Sequence, residues 1–282
     1  MSRFLAQTFA GHGFESRIVL AGCASDAYEL ARCAVLEDSQ AVVAGGGDGT
    51  VNAVAAALAG SHTPMGILPL GTFNHFAHSL RIPTELDLAA CTLMTGSVAR
   101  VDVGLVNGRV FLNNSRLGRS PGVISEQREQ QPSQREKWAT FAEATASILW
   151  RYALLKIRLH VNGKELARTT PFLFVDNHRS SLSAPNIGQR HVSSGGELCV
   201  YLVRAANRLG VLKLGFKALL GRLQRKDELD TFSAHEFTVE TRRKVVPVAI
   251  DGEVQWMHSP LHYRILPRAL SVIVPGRGAW AA

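Results

Sequence analysis

The stretch AVVAGGGDGTVNAVAAAL, residues 41–58, begins as an apolar strand and ends as an alanine-rich helix. Between them lie three consecutive glycines, Asp48, Gly49 and Thr50. Glycines at the carboxyl end of a parallel strand let backbone N–H groups approach an anion, and the helix that begins near Thr50 adds its positive end. Phosphate is therefore the expected ligand. Because Asp48 would repel a bare phosphate, the pattern also predicts a cation such as Mg²⁺, or a donor hydroxyl, between them.

The alternative for this loop is a tight turn that only tolerates glycine, with Asp48 as a helix cap. The loop matches neither the Walker pattern, which needs a lysine, nor G-x-G-x-x-G, because position 50 is threonine. A second loop favours the phosphate interpretation. GILPLGTFNHFA, residues 66–77, again runs from strand through turn to helix, with Asn74 in the first helical turn. Two such loops on neighbouring parallel strands meet at one sheet edge, where Thr72 and Asn74 would donate to phosphate oxygens or cap the helix.

The first hundred residues alternate strand and helix patterns, which predicts a parallel sheet with helices on its faces. The predicted strands are 16–22, 40–45 and 65–71, and the predicted helices are 25–37, 50–60, 73–80 and 86–96. From about Val98 the chain is mainly antiparallel strand with two helices, marked by two Asn-Gly hairpins. The predicted fold class is therefore α/β plus mainly β. A parallel-sheet nucleotide-binding domain, residues 1–98, precedes a larger β-sandwich-like domain, residues 99–282, whose C-terminal tail could pack back on the first.

The composition limits the class of protein. The 282 residues carry 31 Lys+Arg and 23 Asp+Glu, a net charge of +8, which suits anionic partners such as nucleotides or anionic lipid. The charge is diffuse and no nucleic-acid module is present, so we expect no nucleic-acid partner. Four scattered cysteines, no signal peptide and no membrane-spanning run predict a cytoplasmic protein, with peripheral contact at the inner face of the membrane left open. A homodimer also stays open.

A basic amphipathic segment offers one candidate for that peripheral contact. Residues 207–226 carry leucines and Phe216 at helical spacing, accompanied by lysines and arginines. Such a helix can lie on an anionic membrane. The alternative, favoured by the pattern alone, is a helix that covers the core of the second domain.

A late pair of carboxylates is the candidate for acid–base chemistry. In VVPVAIDGEVQ the alternation places Asp251 and Glu253 two residues apart, on one face if the strand continues. Two close carboxylates could hold Mg²⁺, or one could have a raised pKa and act as a base. The alternative is an exposed Asp-Gly hairpin turn with a solvated glutamate.

Four motifs in this order, GGDGTVNAV, PLGTFNHFA, VDVGLVNGRVFLNNS and VAIDGE, resemble the diacylglycerol kinase catalytic family, which includes the bacterial diacylglycerol and YegS-like lipid kinases and the sphingosine and ceramide kinases. The resemblance runs over nearly the whole chain. It implies a two-domain enzyme that transfers the γ-phosphate of Mg·ATP to a lipid hydroxyl, diacylglycerol-like in the first instance, in a cleft between the domains. The partner implied is a lipid substrate at a membrane surface, and the cofactors are ATP and Mg²⁺.

The resemblance also assigns site residues. The segment matching Gly46 to Asn52 and the threonine matching Thr72 contact ATP, and the late Asp-Gly-Glu supplies the proton acceptor, Glu253 with Asp251. Asp48 is the candidate metal contact, through the nucleotide. With the second loop included, the predicted nucleotide-binding residues are Gly46, Gly47, Asp48, Gly49, Thr50, Val51, Asn52, Gly71, Thr72 and Asn74.

The chain also departs from the family pattern. The usual first strand and its Asn-Pro loop are not found, so we expect one side of the nucleotide site to be incomplete. Gly195 stands where some bacterial members have an aspartate of a structural Mg²⁺ site, which we therefore do not carry over. Two alternatives stay open: an NAD kinase, although its Asn-Glu pair and Gly-Phe-Leu segment are missing, and a non-catalytic nucleotide- or lipid-binding relative. The sequence does not name the lipid.

Overall fold

Two compact units make up the chain in this computed structural model, which describes residues 2–118, 154–177, 195–203 and 229–276. The first unit comprises Met1–Asn113, Asn177–Glu197 and Ile265–Ala282, and the second comprises Asn114–Asp176 and Leu198–Arg264. The strands that directly follow residue 98 pair within the first unit, and the chain returns to that unit at Ile265.

The first unit is built from helices around a short parallel sheet. Its helices are α1 (Ser2–Gly11), α2 (Ala24–Leu36), α3 (Asp48–Leu58), α4 (His75–Ser79) and α5 (Leu86–Thr95). Its strands are β1 (Val42–Gly46), β2 (Met65–Pro69), β3 (Ser97–Val106), β4 (Arg109–Phe111) and the C-terminal part of β14 (Leu261–Val274). Strand β1 pairs with β2 in parallel, and β14 also pairs with β2 in parallel, at Val272 and Met65. The predicted parallel α/β arrangement is confirmed.

The core of this unit explains why the sheet and helices form. Every residue of β2 is buried, as expected for a strand covered on both faces. Helix α3 buries Val51, Val54, Ala55 and Leu58, which recur at helical spacing. The packed face fixes the start of α3, and therefore the position of the glycine loop that precedes it.

The predicted strand at residues 16–22 is wrong. These residues are in no helix or strand, and their side chains are exposed, with Leu20 at 86%. Among the described strands β1 pairs only with β2, so the apolar run has no partner strand to bury it. Helix α3 begins at Asp48, two residues before the predicted start, and α4 begins at His75 rather than residue 73.

The second unit consists of antiparallel strands. They are β5 (Asn114–Gly118), β6 (Leu155–Val161), β7 (Lys164–Thr170), β8 (Phe172–Asp176), β9 (Leu198–Val203), β10 (Leu229–Ala234), β11 (Glu236–Thr241), β12 (Val245–Ile250), β13 (Glu253–His258) and the N-terminal part of β14. Six of them form one sheet in the order β10-β9-β8-β5-β12-β13. The others pair in the order β14-β11-β6-β7. The predicted mainly β second region is confirmed.

Tight turns set the register of the hairpins. Asn107-Gly108 and Asn162-Gly163, the two predicted turns, have positive φ at both positions, as a type I′ turn requires. In the second unit the ring of buried Tyr263 stacks on Phe237, with centroids 4.8 Å apart, and its hydroxyl lies 3.1 Å from Ser115 Oγ. Burial raises the pKa of Tyr263, so this phenol stays neutral.

One sequence-based prediction, the basic amphipathic segment 207–226, falls outside the described residues. Within the described ranges, no helix has both the length and the apolar character needed to cross a membrane.

Candidate active-site elements

The two glycine loops lie against each other at the carboxyl ends of β1 and β2. The Leu70 N–H donates to the Gly46 carbonyl at 3.0 Å, which extends the parallel pairing to the loops. A Cβ on Gly71 would overlap the Cα of Gly47, so the two backbones meet where no side chain fits. A Cβ on Gly46 would lie 2.7 Å from Thr50 Oγ1. The sequence-based expectation that the loops share one edge of the sheet agrees with this geometry.

Asp48 joins the two loops. It is the first residue of α3, and its Oδ1 accepts a hydrogen bond from the Phe76 N–H of α4 at 3.4 Å. A backbone donor in the second loop, rather than a hydroxyl, therefore faces one carboxylate oxygen. The other oxygen, Oδ2, has no hydrogen-bond partner among the described residues.

Asn74 holds the second loop in shape. Its Oδ1 accepts from the Gly71 N–H at 2.9 Å and its Nδ2 donates to the Gly71 carbonyl at 2.7 Å. The residue is buried and has φ +49°, a left-handed conformation that asparagine tolerates. It precedes α4 at the N-cap position without a side-chain cap bond. The amide therefore closes the turn, whereas the Thr72 side chain is exposed.

The start of α3 suits an anion. The first N–H groups of any helix lack intrahelical acceptors. At the N-cap, Gly47 has no side chain to accept from them, and no side-chain cap bond is made there. Gly46, Gly47, Gly49 and Thr50 are half-buried, so the loop lies at the surface of the core and not inside it. The backbone donors and the crowded glycines together fit a phosphate cradle.

The carboxylate pair of the second unit sits on a hairpin turn. Asp251 and Gly252 have φ +46° and +94° and connect β12 to β13. The strand does not continue through Asp251: it ends at Ile250 and the chain reverses, as in the hairpin-turn alternative. Glu253 instead pairs with Ile250 across the hairpin and is exposed.

Asn114 fixes this turn at its base. The Asn114 N–H donates to Asp251 Oδ1 at 2.9 Å, and the Asp251 N–H donates to the Asn114 carbonyl at 2.9 Å. The Asp251 carboxylate is therefore hydrogen-bonded at the base of the turn. The Glu253 carboxylate makes no hydrogen bond or ion pair with a described residue. The two carboxylates have different surroundings, which the sequence spacing did not indicate.

A buried polar network in the first unit escaped the sequence analysis. Asp102 accepts at Oδ1 from the Arg268 N–H at 2.7 Å and at Oδ2 from the Gly196 N–H at 2.8 Å. Asn177 Nδ2 donates to the carbonyls of Asp102 and Leu112 at 2.8 and 3.0 Å. The only available signal was an acid between two valines of a buried strand. Within the described ranges no group of three or more His, Cys, Asp or Glu side chains could hold a metal ion.

Comparison with known proteins identifies the class to which these elements belong. The pattern of the diacylglycerol kinase catalytic domain matches residues 3–106, and that of the YegS C-terminal NAD kinase beta sandwich-like domain matches residues 123–274. The second match alone covers more than half of the chain. The chain therefore belongs to the family that combines these two domains, and the resemblance inferred from the four motifs is confirmed.

Particular relatives agree with this membership. Diacylglycerol kinase of Bacillus subtilis (strain 168) is 40% identical over 116 residues, which is 40% of this chain and 38% of the relative. A protein of Cronobacter sakazakii named "Probable lipid kinase YegS-like" is 38% identical over 112 residues, 38% of this chain and 37% of the relative. The chain thus matches about two fifths of the length of each.

A solved structure supports the fold. The crystal structure of a diacylglycerol kinase from Bacillus anthracis str. Sterne superposes with a TM-score of 0.70 and 19% sequence identity, covering 96% of this chain and 91% of that one. At that identity the likeness establishes the fold alone.

Proposed function

We propose that this protein is a lipid kinase that transfers the γ-phosphate of ATP to the hydroxyl of a diacylglycerol-like lipid. The observation that carries the proposal is the close approach of Gly47 and Gly71, which leaves a cradle of backbone donors at the start of α3. Family membership supports kinase chemistry, and the names of both curated relatives support a lipid acceptor.

The nucleotide is proposed to bind on the first unit. The N–H groups of Gly47, Asp48 and Gly49 would donate to phosphate oxygens, with the positive end of α3 behind them. Thr72, exposed on the second loop, would add a hydroxyl donor. Asn74 then acts indirectly, by keeping Gly71 against Gly47.

The Asp48 carboxylate beside the cradle also fits a magnesium ion that would bind together with the nucleotide. Mg²⁺ in phosphoryl-transfer sites is held by one or two carboxylates together with substrate phosphates. Asp48 offers one such oxygen, Oδ2, beside the cradle. When bound, Mg²⁺ supplies neutralisation of phosphate charge.

The acceptor hydroxyl is proposed to lose its proton to Glu253. A base for this step needs a carboxylate that is accessible and not already bonded. Glu253 meets both conditions, whereas Asp251 Oδ1 already accepts from Asn114. Asp251 would thus position the turn that presents Glu253. A lipid substrate would bring this step to a membrane surface.

The test is phosphoryl transfer from γ-labelled ATP by the full chain. Purified protein is incubated with Mg²⁺ and mixed micelles of diacylglycerol, sphingosine or phosphatidylglycerol, with NAD in a parallel reaction. The proposal predicts label in a lipid, with diacylglycerol preferred. Label in NADP would favour an NAD kinase, and ATP binding without transfer to any acceptor would favour a non-catalytic relative.

A further inference from the structure

The outer face of the β12–β13 hairpin is apolar and exposed. Cross-strand pairs share a face of a sheet, so Pro247 lies beside Trp256 and Ala249 beside Val254. Trp256 is 72% exposed and Val254 66%, and Val245 at the other end of the face is exposed as well. Because β13 is the last strand of its sheet, no further described strand lies beside it.

A cluster of three cations borders this face. Arg242, Arg243 and Lys244 form the connection from β11 to β12, and all three are exposed. None of them forms an ion pair with a described residue. The Lys244 carbonyl accepts from the Ser259 N–H at 2.9 Å, which fixes this connection against the far end of β13.

The same face carries no acid. Its residues are Val245, Pro247, Ala249, Val254, Trp256 and His258. The nearest carboxylate of the hairpin, Glu253, pairs with buried Ile250 and so belongs to the opposite face. An exposed tryptophan with aliphatic neighbours, next to unpaired cations and without acids, is complementary to the interface of an anionic bilayer.

We propose that this face, defined by Val245, Pro247, Val254 and Trp256 together with the Arg242–Lys244 cluster, docks on the surface of an anionic lipid bilayer. Trp256 and the valines would enter the headgroup region while the cations contact lipid phosphates. The tip of the same hairpin carries Asp251 and Glu253, roughly 20 Å from the cluster. Docking would therefore hold the turn that carries Asp251 and Glu253 at the level of the lipid headgroups. The value of this position for phosphoryl transfer rests on the proposed lipid kinase activity.

The docking itself is tested without ATP. The purified 282-residue chain is sedimented with vesicles of phosphatidylcholine alone and of phosphatidylcholine mixed with phosphatidylglycerol. We expect binding to the anionic vesicles, and about tenfold weaker binding for Trp256→Ala, since its buried apolar area is lost. Trp256→Phe should keep most of the affinity. Val254→Asp, which adds an acid to the face, should abolish binding.

The electrostatic part has a matched control. Each cation near an anionic surface contributes about fivefold in affinity, so the triple variant Arg242→Gln, Arg243→Gln, Lys244→Gln should bind about 100-fold more weakly. The triple variant Arg100→Gln, Arg109→Gln, Lys164→Gln removes the same charge from exposed positions elsewhere and should bind within about threefold of wild type. Leu36→Ala is the corresponding apolar control, because Leu36 is also highly exposed.

Several results would overturn the proposal. They are equal binding to neutral and anionic vesicles, wild-type binding by Trp256→Ala, or equal losses in the two triple variants. A wild-type dimer that Trp256→Ala converts to monomer would show that a second copy covers the face. Activity separates this claim from the kinase claim: Trp256→Ala should lose activity on vesicles but keep it on a dispersed short-chain diacylglycerol. A protein inactive on both substrates that still binds vesicles through Trp256 would contradict only the kinase.

Discussion

Asn114 and Asp251 exchange two hydrogen bonds across 137 residues of sequence, each 2.9 Å long. One runs from the Asn114 N–H to the Asp251 carboxylate and the other from the Asp251 N–H to the Asn114 carbonyl. The pair holds Asp251 in a left-handed conformation at the tip of the β12–β13 hairpin. The Asp251 carboxylate therefore accepts a backbone hydrogen bond. The Glu253 carboxylate, two residues later, makes no hydrogen bond or ion pair with a described residue.

Substitution of Asp251 separates its structural role from any role of its charge. Asp251→Asn keeps an acceptor oxygen and tolerates positive φ, so we expect a change of at most about 0.5 kcal/mol in the free energy of unfolding. Asp251→Ala loses the hydrogen bond and is strained at this φ, and should cost about 2 kcal/mol. Chemical denaturation measures both. Equal stability of the two variants would show that the Asn114 contact does not hold the turn.

Substitution of Glu253 tests the proposed base. Glu253→Gln should lower phosphoryl transfer by about 100-fold or more, because the amide cannot accept the hydroxyl proton. The unfolding transition and ATP affinity should not change, since the side chain is exposed and bonds to no described residue. Gln255→Glu, two residues further along β13, is the matched control and should retain activity. Wild-type turnover by Glu253→Gln would remove Glu253 from the role of base.

The glycine contact is tested by adding one methyl group. Gly71→Ala places a Cβ on the Gly47 Cα, which forces the loops apart, and we expect ATP affinity to fall by about tenfold or more. Gly45→Ala is the control, since its Cβ would make only an ordinary 3.6 Å contact with Leu70 Cδ1. Titration with a fluorescent ATP analogue compares them. Equal affinities would contradict the cradle.

We expect the amide of Asn74 to support ATP binding and its left-handed backbone conformation to support stability. Asn74→Gly keeps the left-handed conformation but loses both bonds to Gly71, and should weaken ATP binding several-fold. Asn74→Ala loses the bonds and is also strained at φ +49°, and should be less stable than the glycine variant by about 1 kcal/mol. Thermal unfolding with and without ATP measures both effects. Tighter ATP binding by either variant would contradict the positioning role.

Tyr263 gives the second unit a defined pH dependence. Because burial raises its pKa in the folded chain above the value of about 10 in the unfolded chain, its contribution to stability is complete below about pH 10 and is lost as the pH rises further. Tyr263→Phe should therefore lose less stability than wild type in alkali. Burial also raises the pKa of Tyr201, so part of the dependence remains in the variant.

At neutral pH the same variant has a cost. Tyr263→Phe removes the hydroxyl that lies 3.1 Å from the buried Ser115 hydroxyl. The free energy of unfolding should fall by about 1 kcal/mol. The double variant with Ser115→Ala should recover part of that loss, because the Ser115 hydroxyl that lost its partner is then absent. If the free energy of unfolding fell equally with rising pH in wild type and in Tyr263→Phe, this account would be contradicted.

Much of the fold was predictable from local patterns. The β1–α3 and β2–α4 units carry an apolar strand, a glycine turn and a helix in sequence, and the Asn-Gly turns fix their hairpins by positive φ. Strand 16–22 failed because burial depends on a neighbouring strand, which an apolar run does not reveal. The sequence left open that the C-terminal tail packs back on the first domain, but the parallel pairing of Val272 with Met65 is non-local and has no local signal.

The candidate site was predictable as a set of residues but not as a set of contacts. The two loops were expected to meet at a shared sheet edge, yet the bond from Phe76 to Asp48 depends on the position of α4. The sequence left two positions for Glu253 open, a continuing strand or an Asp-Gly hairpin turn, because strand alternation alone does not show where the chain reverses. Asp102 and Asn177 were missed because their partners are backbone groups far away in sequence.

The most direct test of the lipid kinase proposal is transfer of label from γ-labelled ATP to diacylglycerol in mixed micelles, followed by lipid extraction and chromatography. The account predicts labelled phosphatidic acid from the wild-type chain, about 100-fold less from Glu253→Gln and a higher ATP requirement for Gly71→Ala. Labelled phosphatidic acid formed equally by all three proteins would contradict the assigned site. No labelled lipid from a wild-type chain that binds ATP would contradict the proposed function itself.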